Sequence, residues 1–138
     1  MKRSEALKQL SREHHRALVL SKKLLRISNC DPAEGNRQWS QLRVSLVKEL
    51  IPHFEEEETL LKELGLSHTD HHLLNRFRSD HQQIREFLNA SDYMTAAILS
   101  ERLKLHIRFE ERELFNWLES EFGDEYLSRM IRGEHVQI

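Results

Sequence analysis

Residues 53–57 read His-Phe-Glu-Glu-Glu, and residues 106–110 read His-Ile-Arg-Phe-Glu. In each stretch a histidine precedes a glutamate by four residues. Both stretches lie in long segments whose apolar residues recur with the period of an α-helix. Side chains four apart lie on one face of a helix, so each stretch can direct one imidazole and one carboxylate at the same point. The pairing predicts two helices that share a polar interior site.

The same apolar period continues outward on both sides and predicts an all-α protein. We expect helices over about residues 4–28, 37–64, 70–89 and 92–122, a loop over 29–36, and a short final helix over 124–132 with a frayed tail after it. Because the connections are short, consecutive helices should be antiparallel neighbours in an up-down-up-down four-helix bundle. Residues 1–122 would form this bundle, and residues 123–138 would be a short C-terminal helix and tail.

Local signals support the expected helix ends. Gly65 and Gly123 follow apolar stripes and should end the second and fourth helices. Thr69 or Asp70 can cap the third helix, and Ser91 the fourth.

One proline interrupts the second of these predicted helices. Pro52 lies within it, where a proline removes a backbone hydrogen bond and is expected to bend the axis. Because it directly precedes His53, such a bend would change how that histidine is aimed.

Composition limits the class of protein. The chain has 138 residues, the size of one domain, with 32% charged residues and only two prolines and four glycines. The net charge of −2, with basic and acidic residues interleaved, argues against a nucleic-acid partner. No apolar run has the length of a signal peptide or a membrane span, so we expect a cytoplasmic protein with no membrane partner. The lone Cys30 excludes an intrachain disulfide.

Histidine is the unusual component, with nine in the chain. Each predicted bundle helix has one in the middle of its apolar stripe, and two helices add a glutamate one turn later. The candidate metal ligands are therefore His14, His53, Glu57, His81, His106 and Glu110. A single histidine on an apolar face is commonly a core residue, but a carboxylate buried there costs several kcal/mol unless it is paired or bound to a metal.

Nitrogen and carboxylate ligands without thiolate suit iron, manganese or zinc. Six protein ligands are too many for one tetrahedral zinc, so the pattern favours two metals bridged by the glutamates. An oxo or hydroxo bridge and water would complete the coordination. Open positions of this kind could bind dioxygen, peroxide or nitric oxide.

At these residues the chain resembles the hemerythrin-like family, also called the HHE cation-binding domain. The matching stretches are Glu13-His14-His15, residues 53–58, residues 80–84 (Asp-His-Gln-Gln-Ile) and residues 106–111. The resemblance implies a four-helix bundle with two non-haem iron ions. It also implies a role in carrying or sensing oxygen, handling iron, or responding to oxidative or nitrosative stress.

The chain differs from the oxygen-carrying members in two places. Phe77 stands one turn before His81, where the carriers have a fifth histidine. The carriers also have an aspartate five residues after the last histidine; that place is Glu111 here, although Glu110 fits the helix face better. Four histidines with two glutamates is more similar to the repair and sensor branches. The 138 residues do not include the cysteine-bearing N-terminal domain of iron-cluster repair proteins, so we do not expect that exact function.

Several neighbouring residues were alternatives. His15 competes with His14, which is favoured because it lies on the apolar stripe. Glu49 and Glu113 could support a ligand histidine or form salt bridges at the bundle edge.

Other residues are interpreted as structural or exposed. Glu55, Glu56 and Glu58 are interpreted as a solvated face, and Trp39 and Trp117 as core anchors. His68, His71, His72 and His135 are interpreted as surface residues.

Two other function classes use similar helices. A phosphotransfer-like signalling module without a metal would need an exposed receiver histidine, such as His71 or His72. A bis-histidine haem bundle would have no use for the glutamates, and a ferritin-type ferroxidase would carry Glu-x-x-His rather than the order found here. The pattern does not distinguish an enzyme from a carrier or sensor, or one oligomeric state from another.

Overall fold

The computed structural model describes residues 3–90 and 92–131. All regular secondary structure in these ranges is helical, which confirms the predicted all-α class. The helices are α1 (Lys8–Ile27), α2 (Pro32–Glu63), α3 (His72–Leu88), α4 (Ala96–Phe109), α5 (Phe115–Phe122) and α6 (Asp124–Ile131). Turns of 3-10 helix at Glu5–Leu7 and Tyr93–Thr95 precede α1 and α4, and a π turn at Glu110–Leu114 joins α4 to α5. The predicted fourth helix is therefore two α-helices joined by a π turn.

The long helices surround one interior. α1 packs against α2 and α4, and α3 packs against α4 and α2. No helix within the described ranges combines the length and apolar character needed to cross a bilayer.

The start of α2 corrects the predicted loop over residues 29–36. The Asp31 side chain accepts a hydrogen bond from the Glu34 N–H at 3.0 Å, and Pro32 takes the first helical position, so residues 32–36 are helical. Proline suits that position because its missing N–H would have no helical partner and its φ is already fixed. Gly35 lies under the Tyr93 ring, where a Cβ would come within 2.5 Å of a ring carbon, so the glycine permits this close approach.

α2 ends just before a glycine, Gly65, as predicted. Gly65 has φ 76°, the Leu66 N–H donates to the Leu61 carbonyl at 2.8 Å, and the Gly65 N–H donates to the Lys62 carbonyl at 3.0 Å. This pair of hydrogen bonds is the Schellman motif. Between these ends α2 runs without interruption through Pro52. The bend expected there stays a prediction.

The third helix is capped by a different residue than predicted. The Leu73 N–H donates to His71 Nδ1 at 3.2 Å, so His71, rather than Thr69 or Asp70, is the N-cap. Asp70 instead accepts a hydrogen bond from Asn75 Nδ2 at 2.9 Å. An imidazole nitrogen accepts a backbone N–H as a carboxylate does, which a search for the usual capping residues overlooks.

Some of the other predicted helix ends lie inside the described ranges and some lie outside them. Ser91, the predicted cap of the fourth helix, and the tail from residue 132, with His135, lie outside them. Gly123 has φ 73° and ends α5, as predicted. The short helix after it is confirmed as α6, whose Leu127 and Met130 are buried in the core. The division between residues 1–122 and 123–138 stays a prediction.

The core consists of two apolar clusters with a polar layer between them. The lower cluster, near the start of α1, includes Leu7, Leu10, Leu60, Leu74, Phe77, Phe115, Leu118 and Leu127. The upper cluster includes Ala17, Leu24, Trp39, Leu46, Phe54, Ile84, Leu99 and Leu103. Along α1, Leu10 belongs to the lower cluster and Ala17 to the upper, and the buried His14 lies between them. His14 is thus held at a level between the two clusters, with apolar packing on both sides.

Replacing Gly65 with alanine should destabilise the end of α2, because a Cβ disfavours the left-handed backbone required there. We expect a loss of about 1 kcal/mol or more in the free energy of unfolding. Urea denaturation measures it, with Lys48→Ala at an exposed position of α2 as the control. Equal stability of the two variants would contradict the prediction.

Candidate metal centre

Six polar side chains meet in the layer between the two apolar clusters. All are at most 5% exposed: His14, His53, Glu57, His81, His106 and Glu110. These are the six candidates that the sequence pattern selects, and the fold brings all of them together.

Four helical segments supply these side chains. His14 comes from α1 and His81 from α3. His53 and Glu57 lie one turn apart on α2, while His106 lies near the end of α4 and Glu110 is the first residue of the π turn. Each four-residue spacing therefore delivers an imidazole and a carboxylate to the same level, as the helical period requires.

The donor atoms form two groups that share both glutamates. One group is His14, His53, Glu57 and Glu110, and the other is His81, His106, Glu57 and Glu110, with the donor atoms of each group within 4.8 Å of one another. The two oxygens of Glu57 divide between the groups, since Oε2 is 3.4 Å from His53 Nε2 and Oε1 is 3.3 Å from His81 Nε2.

Glu110 makes the corresponding link on the other side. Its Oε1 is 3.3 Å from His14 Nε2 in one group and 2.8 Å from His106 Nε2 in the other. Each carboxylate therefore lies between imidazoles of both groups, the arrangement expected of a ligand shared by two ions.

The short distances in this layer do not have the geometry of hydrogen bonds. The Nε2 atoms of the four histidines and both carboxylate oxygens of Glu57 and Glu110 are buried without a hydrogen-bond partner in the described part of the chain. Orphaned buried polar atoms are rare in proteins because each costs the free energy of its lost hydration. Eight such atoms converging from four segments fit nitrogen and oxygen ligands of metal cations.

In the metal-free layer, neighbouring imidazoles and carboxylates shift the pKa values of one another. Burial raises the pKa of Glu57, but Glu110 and the surrounding imidazoles outweigh this and lower it well below the usual range. Burial likewise lowers the pKa of His14, His53 and His106, yet the nearby carboxylates raise it to about 12, about 9 and about 10, respectively. In the absence of a metal, protons on these three imidazoles offset the negative charge of Glu57.

Each histidine is also held from outside by a carboxylate on its second ring nitrogen. The Nδ1 atom of His14 is 3.1 Å from Glu111, and that of His53 is 2.8 Å from Glu13. A carboxylate that accepts the Nδ1 proton leaves the Nε2 lone pair pointing inward, which is the tautomer needed for metal ligation.

The other two histidines repeat the arrangement. His81 Nδ1 is 2.7 Å from Glu58, and His106 Nδ1 is 2.9 Å from Asp80. Arg85 holds Glu58 with both guanidinium nitrogens, at 2.6 and 2.9 Å. Burial raises the pKa of Glu58, but the hydrogen bonds from His81 and Arg85 lower it to about 2, so the carboxylate is ionised.

The outer carboxylates connect the helices in a closed ring. α1 supports the histidine of α2 through Glu13, α2 that of α3 through Glu58, and α3 that of α4 through Asp80. The π turn returns to α1 through Glu111. Every histidine in the layer is thus oriented by the segment beside it.

These four outer carboxylates were missed by the sequence interpretation. The assignment of Glu58 to a solvated face is wrong, because it binds His81 and Arg85. A signal was available: each outer carboxylate directly precedes or follows a member of the inner layer in the sequence. Consecutive helix residues point about 100° apart, so the neighbour of an inward residue reaches the adjacent helix.

The residues considered as alternatives lie at the edge. Glu49 pairs with Arg16 at 3.2 Å and Glu113 with Arg76 at 3.7 Å, which agrees with the salt-bridge interpretation. His15 is exposed on α1.

Not all of the other residues that the sequence assigns to the surface are exposed. His68 and His72 are exposed, whereas His71 is half-buried and stacks on Trp117 with ring centroids 4.5 Å apart. Trp39 is a buried core residue, as predicted, and Trp117 only packs against the lower cluster.

A small cavity adjoins the layer on the side of the lower cluster. Its volume is about 10 Å³, close to the space for one water molecule. Its walls are apolar side chains, among them Leu10, Phe77 and Leu114, with the carboxylates of Glu57 and Glu110 as the polar part. Phe77 lies against His81 with ring centroids 4.0 Å apart, so the place of a fifth histidine is filled by an apolar wall.

Removing an outer carboxylate should weaken metal binding without removing a ligand. We expect Asp80→Asn to lower metal affinity by about 10- to 100-fold, because a neutral amide then replaces the charged carboxylate that orients His106. The matched control is Glu113→Gln, since Arg76 lies 3.7 Å from both acids. Chelator competition measures the affinity, and equal affinity of the two variants would contradict the prediction.

Metal uptake should release protons. His14, His53 and His106 have raised pKa values in the metal-free layer and carry protons near neutral pH, whereas a metal binds only the neutral imidazole nitrogen. Apparent affinity should therefore rise with pH between about pH 6 and 9. An indicator dye in weakly buffered solution detects the released protons, and uptake with no pH change would refute the expectation.

Comparison with known proteins agrees with this geometry. A family model described as the hemerythrin HHE cation binding domain matches residues 5–118, which include all six inner residues and all four outer carboxylates. Searches of curated proteins and of solved structures returned no match. Since the match covers most of the chain, this protein belongs to the hemerythrin HHE cation-binding domain family.

Proposed function

We propose that this protein binds two non-haem iron ions and that the centre binds, senses or reacts with a small oxidant such as dioxygen, peroxide or nitric oxide. The observation that carries the proposal is the pair of ligand groups sharing Glu57 and Glu110. Membership of a cation-binding family supports the metal, and the shared carboxylates support two ions rather than one.

The donor set suits iron, manganese and zinc, and we propose iron. Each group offers two imidazole nitrogens and one oxygen from each glutamate, with no thiolate. Four such donors would satisfy a tetrahedral zinc but leave a six-coordinate iron or manganese with open positions. Manganese and zinc remain the alternatives that metal analysis decides between.

The cavity supports a very small reactant. A space of about 10 Å³ beside Glu57 and Glu110 suits a molecule of two or three atoms better than an organic substrate. Iron, when bound, would supply the redox and Lewis-acid chemistry. The chain's own contribution is to hold the four imidazoles in one tautomer and to surround the reactant with apolar walls that exclude bulk water.

The proposal includes a coarse architecture and location. α1, α2, α3 and the segment from α4 to α5 would be the four members of an up-down-up-down bundle over residues 1–122. The connections between successive helices are only a few residues long, which supports this arrangement. We also propose a cytoplasmic location.

Metal analysis of the purified protein tests the iron proposal. After anaerobic loading with ferrous iron we expect two ions per chain, and His53→Ala or Glu110→Ala should abolish stoichiometric loading because each removes a buried ligand. His15→Ala, an exposed neighbour of His14, is the matched control and should load normally. Fewer than one ion per chain in the unmodified protein would refute the proposal.

The loaded protein also tests the reactant. Adding dioxygen or nitric oxide to the ferrous form should change the ultraviolet-visible spectrum, and the Glu110→Ala protein should show no such change. A spectrum that neither gas alters would refute the proposed role while leaving the metal site intact.

A further inference from the structure

The π turn supplies both an inner and an outer carboxylate to the group that contains His14. Glu110 faces the shared layer, and the next residue, Glu111, holds His14 Nδ1 at 3.1 Å. Ser11 Oγ also donates to Glu111 at 2.8 Å, so this carboxylate is anchored on α1. The backbone of this turn therefore sets the position of two carboxylates at once.

The π turn leaves one backbone carbonyl without its usual partner. The Phe115 N–H donates to the Glu110 carbonyl, five residues earlier. In a regular α-helix it would donate to the Glu111 carbonyl, four residues earlier. The Glu111 carbonyl therefore loses its α-helical partner and is available to another donor.

Arg3 supplies that donor from the start of the chain. Its Nη2 donates to the Glu111 carbonyl at 2.6 Å, while its Nη1 donates to Asn116 Oδ1 at 3.1 Å and Glu119 Oε1 at 2.7 Å. The guanidinium also lies over the Phe115 ring, 5.4 Å from its centroid. One side chain thus connects the π turn to Glu119 in α5.

The contact between Arg3 and Glu119 is largely buried. The Arg3 side chain is only 19% exposed and that of Glu119 only 15%. The Ser4 N–H donates to the second oxygen of Glu119, which ties the backbone of the leading segment to the same acid. Arg3 and Glu119 both lie just outside residues 5–118, so this contact is not part of the family match.

We propose that Arg3 is a positioning residue for the metal centre: it holds the π turn in place so that Glu110 and Glu111 reach the shared layer and His14. This inference rests on the proposed metal function. The contact by which Arg3 holds the π turn, however, is present in the metal-free chain. Arginine is needed because its two terminal nitrogens lie in a rigid plane and reach a carbonyl and a carboxylate together. A lysine could keep the ion pair with Glu119 but could not span both acceptors.

Two measurements test the proposal. In the metal-free protein, Arg3→Ala and Arg3→Lys should accelerate hydrogen exchange of the amides at residues 110–116. In the presence of Zn²⁺ and a competing chelator, both variants should bind metal about tenfold more weakly than the unmodified protein. The Arg16→Ala variant is the matched control, because it removes an exposed ion pair between Arg16 on α1 and Glu49 on α2, away from the π turn.

The outcomes separate the two proposals. Normal affinity and exchange in Arg3→Ala would overturn the positioning role, as would an equal loss in Arg16→Ala, which would indicate general destabilisation. Normal affinity in Arg3→Lys would also overturn it, because charge alone would then suffice. Failure of the unmodified protein to bind metal would refute the metal function, while the exchange measurement would still decide whether Arg3 holds the π turn.

Discussion

The structure depends on the enclosure of two carboxylates and four imidazoles in an interior that is otherwise apolar. Glu57 and Glu110 are at most 2% exposed, and neither carboxylate has a hydrogen-bond partner in the described part of the chain. Buried carboxylates without hydrogen-bond partners are among the most unfavourable features that a folded protein can contain. The apolar clusters above and below the layer keep water out, so the layer depends on protons or metal ions for charge balance.

The outer carboxylates make this layer rigid. Because Glu13, Glu58, Asp80 and Glu111 each hold a histidine of a neighbouring segment, the imidazoles cannot turn without breaking contacts between segments. A preorganised ligand set loses little conformational entropy when an ion binds. The same contacts join all four segments at the level of the site, so the centre and the packing of the helices are coupled.

The π turn positions two adjacent carboxylates, Glu110 and Glu111, around His14. It brings Glu110 to the shared layer and the adjacent Glu111 to the outer face of His14. π turns inside α-helices occur frequently at functional sites and cost a backbone hydrogen bond. The side chain of Arg3 compensates for that loss, which gives the segment before α1 a role in a site that it does not enter.

The sequence by itself determined the helices and the inner layer, because both follow from local periodicity. His53 with Glu57, and His106 with Glu110, lie on one helical face by spacing alone, and the apolar stripes around them require that face to be buried. Gly65 and Gly123 marked helix ends for an equally local reason, the left-handed backbone conformation. Where two local signals competed, as at Pro32 and His71, capping by Asp31 and by an imidazole outweighed the turn-like composition and the usual capping residues.

Only the tertiary structure decided which carboxylates stand behind the histidines. Glu58 has the sequence context of a solvated helix face, yet it binds His81 because α3 lies beside it. The π turn and the contact of Arg3 with Glu111 also depend on segments more than a hundred residues apart. A helical period specifies the direction of a side chain relative to its own helix, whereas these contacts depend on the position of a neighbouring segment, which packing of the whole chain sets.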